Sequence, residues 1–162
     1  MFNKINFLFV TLFGIGKIGK IPGSLASLAT TVFLFFLLHV LNTSPNIVLI
    51  GVVILFLISL YAVNIFIKDL DNKDPKEVVI DEFIGQSIPI CLYEIAHQGS
   101  KETGQVLTSY FVMFILFRIF DIVKPYPVSY YDKNFKNSFG VVMDDVVAGL
   151  YVVAVLVLYM VI

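Results

Sequence analysis

The sequence predicts an all-α fold: a compact multi-helix bundle embedded in a membrane, with about 3–5 helices crossing it or entering it partway. Three observations predict this. Residues of the AVILMFWYC set make up 59% of the 162 and charged residues only 14%, where a soluble domain carries roughly a quarter. No Asp, Glu, Lys or Arg occurs over the 47 residues from Ile21 to Ile67. The strongest turn signal in that stretch, Asn42-Thr43-Ser44-Pro45-Asn46, falls between two apolar runs. The length suits one domain, residues 1–162, with no repeat and no linker.

The turn signal separates residues 25–41 from residues 47–67. At ~1.5 Å of rise per residue, the second run reaches across ~30 Å of hydrocarbon and the first falls slightly short, so the pair predicts a helical hairpin. Residues 83–96 contain Pro89 and Glu94, residues 106–120 are broken only by Arg118, and residues 146–162 carry no charge. Each is marginal for a full crossing and reads equally as a helix buried in the bundle. Near the start, Lys4 and the apolar residues 5–13 imitate a signal peptide. The glycines and lysines that follow do not resemble a small-residue cleavage site, so the segment is expected to remain in the mature chain.

Charge sets an orientation. Lys4, Lys17 and Lys20 precede the first run; Lys68, Lys73 and Lys76 follow the second; Arg118, Lys124, Lys133 and Lys136 lie between the fourth and fifth. If all five runs cross, these ten cations share one face and Lys101 lies opposite, which makes the richer face cytoplasmic. The acids at residues 69–82 and 121–145 fall on that same face. The formal net charge of −1 excludes a global basic field for nucleic acid. Cys91 is the only cysteine, so an internal disulfide and a zinc site built on several thiolates are both excluded. His39, inside an apolar run, and His97 offer little for phosphohistidine chemistry, and no Ser-His-Asp order suggests itself.

Acids near membrane depth are costly unless paired or metal-bound, which makes them functional candidates. Asp74-Pro75-Lys76-Glu77 reads as a helix start that carries Asp81 and Glu82 into the second turn, with Pro89 kinking or ending the helix. Arg118, Asp121 and Lys124 recur every third residue ahead of Pro125. They fit either an i,i+3 ion-pair ladder or a site where a carboxylate holds a cation and the bases hold phosphate. Asp144-Asp145 precede the last apolar run. One could cap a helix; two exceed what capping needs, and their repulsion calls for a cation or base between them. Oxygen donors of this kind suit Mg²⁺, which takes one or two carboxylates, retains waters and uses substrate phosphate for the rest.

Residues 14–20 fit GxxxxGK, but Ile21 stands where a P-loop has Ser or Thr, and Pro22 follows. A simpler anion cradle of glycine amides with Lys17 and Lys20 remains, against a plain turn before the first helix, which Pro22-Gly23-Ser24 would start.

Asp81-Glu82-Phe83-Ile84-Gly85-Gln86, then Phe117-Arg118-Ile119-Phe120-Asp121-Ile122-Val123-Lys124-Pro125-Tyr126-Pro127, then Gly140-Val141-Val142-Met143-Asp144-Asp145-Val146-Val147-Ala148-Gly149 resemble, in order, three motifs of the phosphatidylglycerophosphatase A family. Pro22-Gly23-Ser24-Leu25-Ala26-Ser27 resembles its N-terminal PGTxGS, with Ser24 and Ala26 in place of Thr and Gly. Asn137-Ser138 stands where the family has Gly-Gly.

The resemblance implies a multi-pass, Mg²⁺-dependent phosphatase of the inner membrane with its site facing the cytoplasm. Its substrate would be phosphatidylglycerophosphate, with phosphatidylglycerol as product. Asp81, Glu82, Asp121, Asp144 and Asp145 are the expected metal ligands and, with Lys124, the expected catalytic residues. Lys17, Lys20, Gly23, Ser24 and Arg118 are the expected phosphate-binding residues. The alternatives are a small transport or channel subunit, which would space its charges through the spans, and a non-catalytic helical binding domain. The DGxxAR signature of CDP-alcohol phosphotransferases is missing.

Overall fold

The computed structural model describes residues 2–97 and 102–161, and these form helices joined by turns, with no strand among the described residues. α1 (Phe2–Val10) leads through a single 3₁₀ turn (Ile15–Lys17) into α2 (Pro22–Phe35), which continues as a wider π-helical turn over Phe36–Val40. α3 (Pro45–Ile67), α4 (Ile80–Ala96), α5 (Thr103–Val123), the short α6 (Val128–Asn134) and α7 (Ser138–Val161) follow. Four stretches are long and apolar enough to cross a membrane: residues 22–40, 45–67, 103–123 and 138–159. Lys101 and Ile162 lie outside the described residues.

Proline sets two of the helix starts. Pro22 and Pro45 occupy the first turns of α2 and α3, where a missing N–H costs nothing. The last turn of α5 ends at Lys124, which takes a left-handed conformation ahead of Pro125.

Three boundaries differ from the sequence reading. α4 begins at Ile80, not at Asp74, because the Val79 amide is taken by the Val10 carbonyl (2.9 Å), which holds Val79 outside helical geometry. Asp81 and Glu82 therefore lie in the first turn. Pro89 neither ends α4 nor stops it short of Ala96. The carbonyl that Pro89 leaves without its helical partner belongs to Gly85, and it packs on Gly149 of α7. α7 begins at Ser138, so Asp144 and Asp145 are inside the helix and cap nothing.

α4 is the central element and packs on α2, α3, α5 and α7. α2, α4 and α7 run in the same direction, and α5 runs against them. At one end Gly23 meets Glu82, Gly85 meets Asp145, and Arg118 reaches Ser27. At the other, His39 contacts Glu94 (3.3 Å) and Tyr93 contacts Ser109 (2.9 Å). One apolar cluster around Ile90, Tyr110, Phe117 and Val152 joins α4, α5 and α7; another around Val63, Ile80, Ile84 and Val142 joins α3, α4 and α7.

The α4–α7 crossing is close because glycine lies on both sides. A Cβ on Gly149 would collide with the Gly85 carbonyl, and a Cβ on Gly85 would collide with the Asp145 backbone. Gly149→Leu should therefore destabilise the bundle by about 1–3 kcal/mol, several degrees in Tm. Gly51→Ala, with nothing within 4 Å of its added Cβ, should be neutral or raise Tm slightly. Thermal denaturation in detergent compares the two; equal effects would remove the crossing from this role.

Candidate active site

Four helix ends meet in a pocket of about 360 Å³. α2 contributes Pro22, Gly23 and Ser24 from its first turn, α4 contributes Asp81 and Glu82, α5 contributes Arg118, Asp121 and Lys124, and α7 contributes Asp144 and Asp145. Nine of the eleven residues singled out from sequence thus line one cavity. Lys17 and Lys20 do not. Both are exposed, and Lys17 lies over the Phe7 ring, 4.7 Å from its centroid.

The acids divide into two groups. Asp81, Glu82 and Asp145 each bring a carboxylate oxygen within 4.8 Å of the others, and among the described residues none of the three has an ion pair. Asp81 and Asp145 are buried, and Glu82 Oε2 is buried without a hydrogen-bond partner. Three carboxylates this close repel one another, so the cluster fits a cation that all three can share. The other two pocket acids already have bases. Arg118 Nη1 contacts Asp121 Oδ2 at 2.9 Å, and Lys124 Nζ contacts Asp144 Oδ2 at 2.6 Å.

The fold builds these contacts locally. Asp81 and Glu82 open α4, and the Glu82 amide donates to Asp81 Oδ1 (3.1 Å), fixing one carboxylate against the helix start. Gly23 is needed where Glu82 leans on α2: a Cβ there would run into Glu82 Oε1. The Gly23 and Ser24 amides precede the first backbone bond of α2, from the Leu25 amide to the Ile21 carbonyl, so they remain available to an anion. Arg118 Nη1 also donates to Ser27 Oγ (3.3 Å), tying α5 to α2.

Lys124 breaks the expected ladder. Its left-handed backbone turns the side chain away from Asp121 and between α6 and α7, where Nζ contacts Asp132 Oδ1 (2.9 Å) as well as Asp144. Burial lowers its pKa, but the charges and hydrogen bonds of Asp144 and Asp132 outweigh burial and leave it above the ordinary lysine value. Partial burial raises the pKa of Asp132, and the hydrogen bond and charge of Lys124 outweigh this and leave it below the ordinary carboxylate value. Sequence reading missed Asp132 because it belongs to no acidic cluster. It also missed Lys76 and Asp74, which line the pocket from the loop before α4.

A raised lysine pKa contributes stability that is fully present below about pH 10.4 and lost as pH rises through the folded value. A lowered aspartate pKa contributes stability that is present above about pH 3.9 and lost as pH falls through the folded value. The Tm difference between wild type and Asp132→Asn should therefore hold constant from about pH 5 to 9 and narrow below about pH 4. A difference that titrates near neutrality would contradict the pairing.

No solved structure matches the chain. The family model described as phosphatidylglycerophosphatase A matches residues 8–160. A protein of Haemophilus influenzae named phosphatidylglycerophosphatase A is 36% identical over 155 residues, covering 96% of this chain and 88% of the relative. The protein of the same name from Escherichia coli K12 is 29% identical over 139 residues, covering 85% and 73%. The match reaches from α1 into the last turns of α7 and includes every side chain of the pocket, so the chain belongs to the phosphatidylglycerophosphatase A family.

Proposed function

We propose that this protein removes the terminal phosphate of phosphatidylglycerophosphate, giving phosphatidylglycerol and inorganic phosphate, in the pocket where α2, α4, α5 and α7 meet. The observation that carries the reading is the closely set trio Asp81, Glu82 and Asp145, beside Arg118 and Lys124, at the end of a bundle of membrane-length helices. The family and the relatives' names supply the substrate.

The trio's donors are all hard oxygens, and the orphaned Glu82 Oε2 supplies a further free acceptor, a set suited to Mg²⁺. Asp81, Glu82 and Asp145 would hold the ion, while Asp121 and Asp144 line the same pocket. When bound, such an ion supplies Lewis-acid polarisation of phosphoryl oxygens and lowers the pKa of water.

The chain's own residues do the rest. Arg118 and Lys124 neutralise the phosphomonoester, and the Gly23 and Ser24 amides at the start of α2 receive its oxygens. Water adds to phosphorus as the P–O bond to the glycerol oxygen breaks, and a pocket carboxylate takes the water's proton and passes it to the departing oxygen. Asp121 and Asp144, which stand outside the trio, are the bases nearest to hand. A carboxylate nucleophile forming an acyl-phosphate is the alternative route.

The cations at this end of the bundle support a site on the cytoplasmic face of the inner membrane, through the positive-inside bias. The helices then hold the pocket at headgroup depth, and the lipid reacts without leaving the bilayer. The charge balance gives nucleic acid no role.

Phosphate release from phosphatidylglycerophosphate in mixed micelles tests this. Activity should require Mg²⁺, vanish with excess chelator, and return on adding the ion. Asp81→Asn and Asp145→Asn should each lose about 10²-fold or more in kcat while matching or exceeding the wild-type Tm in the absence of metal. Phosphatidic acid and glycerol phosphate in parallel report selectivity. Full activity in chelator would refute the metal role, and no release from any of the three would refute the reaction.

A further inference from the structure

The pocket accounts for the headgroup of a lipid but not for its chains. Its mouth between α2 and α5 is flanked by Ile21 and Ile122, both strongly exposed apolar side chains. Below the mouth, on the same seam, lies a separate groove of about 360 Å³ with an almost wholly apolar lining. Leu28, Val32 and Phe35 form one wall and Leu107, Phe111 and Phe114 the other.

Helical spacing makes the mouth and the groove one feature. Along α2, Ser24, Leu28, Val32 and Phe35 follow Ile21 at 3, 7, 11 and 14 residues, a single face at the helical period. Along α5, Arg118, Phe114, Phe111 and Leu107 precede Ile122 at 4, 8, 11 and 15 residues, again a single face. Arg118, which reaches across to Ser27, marks where the polar part of the seam ends and the apolar part begins. From Ser24 to Phe35 the α2 wall rises ~16 Å, close to half of a ~30 Å hydrocarbon core, the depth one acyl chain reaches from its own leaflet.

We propose that the α2–α5 groove is the acyl-chain subsite of the enzyme: the substrate enters sideways from the bilayer through this seam, with a fatty-acyl chain lying along it while its phosphate reaches Arg118 and Lys124. This rests on the lipid-phosphatase reading above and extends it to a binding site for the apolar part of the substrate.

A larger apolar groove, about 510 Å³, lies on the other flank of α2, among α1, α3 and α4. None of the pocket acids lines it. Leu12, Phe13 and Ile15, from the turn joining α1 to α2, line it, and the Val10–Val79 backbone bond ties that turn to the start of α4. Its α4 lining, Ile80 and Phe83, faces away from the cavity that Asp81 and Glu82 enter.

Two measurements test the assignment. In the first, Val32→Trp fills the α2–α5 groove and Leu55→Trp fills the other; each is assayed with Mg²⁺ on dipalmitoyl and on water-soluble dihexanoyl phosphatidylglycerophosphate. Val32→Trp should lower kcat/KM about tenfold or more on the long-chain lipid and change the short-chain value less than about twofold. Leu55→Trp should change neither. An unchanged long-chain rate in Val32→Trp, equal loss on both lipids, or chain-selective loss in Leu55→Trp would overturn the proposal.

In the second, wild-type protein is photolabelled with phosphatidylglycerol carrying a diazirine in its acyl chain, in micelles with excess unlabelled carrier lipid. Labels concentrated within residues 28–35 and 107–114 support the subsite; labels spread evenly over all lipid-facing helices overturn it. If wild type hydrolyses neither lipid, the functional reading fails, and the photolabelling still decides the groove.

Discussion

The fold turns on holding three carboxylates together at the head of a helical bundle. Asp81, Glu82 and Asp145 lie within 4.8 Å of one another with no base paired to them among the described residues, and two of the three are buried. Such an arrangement is electrostatically unfavourable unless a cation or a proton is shared. What keeps it in place is the α4–α7 crossing, where Gly85 and Gly149 let two backbones approach closely enough to set Asp145 beside the first turn of α4. The same contact covers the Gly85 carbonyl that Pro89 frees, and α4 continues past the proline to Ala96 as the central helix.

The remaining groups are arranged around that trio. The first turn of α2 carries Gly23 because Glu82 occupies the space a side chain would need, and this turn leaves the Gly23 and Ser24 amides without helical partners. α5 ends at a strained Lys124, whose ammonium bridges α6 and α7 without joining its own helix's acids. Arg118 holds Asp121 and reaches to α2. Each base thus restrains one pocket acid and still borders the cavity, which leaves the trio without a base of its own among the described residues. Beneath them the α2–α5 seam passes from polar to apolar within one helical turn.

Much of this was legible in the sequence, for a physical reason. A charge in a chain this apolar must be explained, so Asp81, Asp121, Asp144 and Asp145 stood out, and nine of the eleven expected site residues line the pocket. What could not be read was anything set by packing between distant segments. The Val10–Val79 bond moved the start of α4 from Asp74 to Ile80, and no local signal at Asp74-Pro75 could reveal it. Lys124 looked like the third rung of a ladder, and only its backbone conformation sends it to Asp132 and Asp144. Lys17 and Lys20 drew notice through spacing with glycines, yet the turn that carries them points outward.

The central claim is that the trio is one cation site. Mn²⁺, a spectroscopic stand-in for Mg²⁺, tests it directly through the electron paramagnetic resonance of protein in detergent. The account predicts saturable binding that Mg²⁺ displaces and that is lost when Asp145 becomes Asn. Equal Mn²⁺ binding in wild type and that variant, or none in wild type, would contradict it.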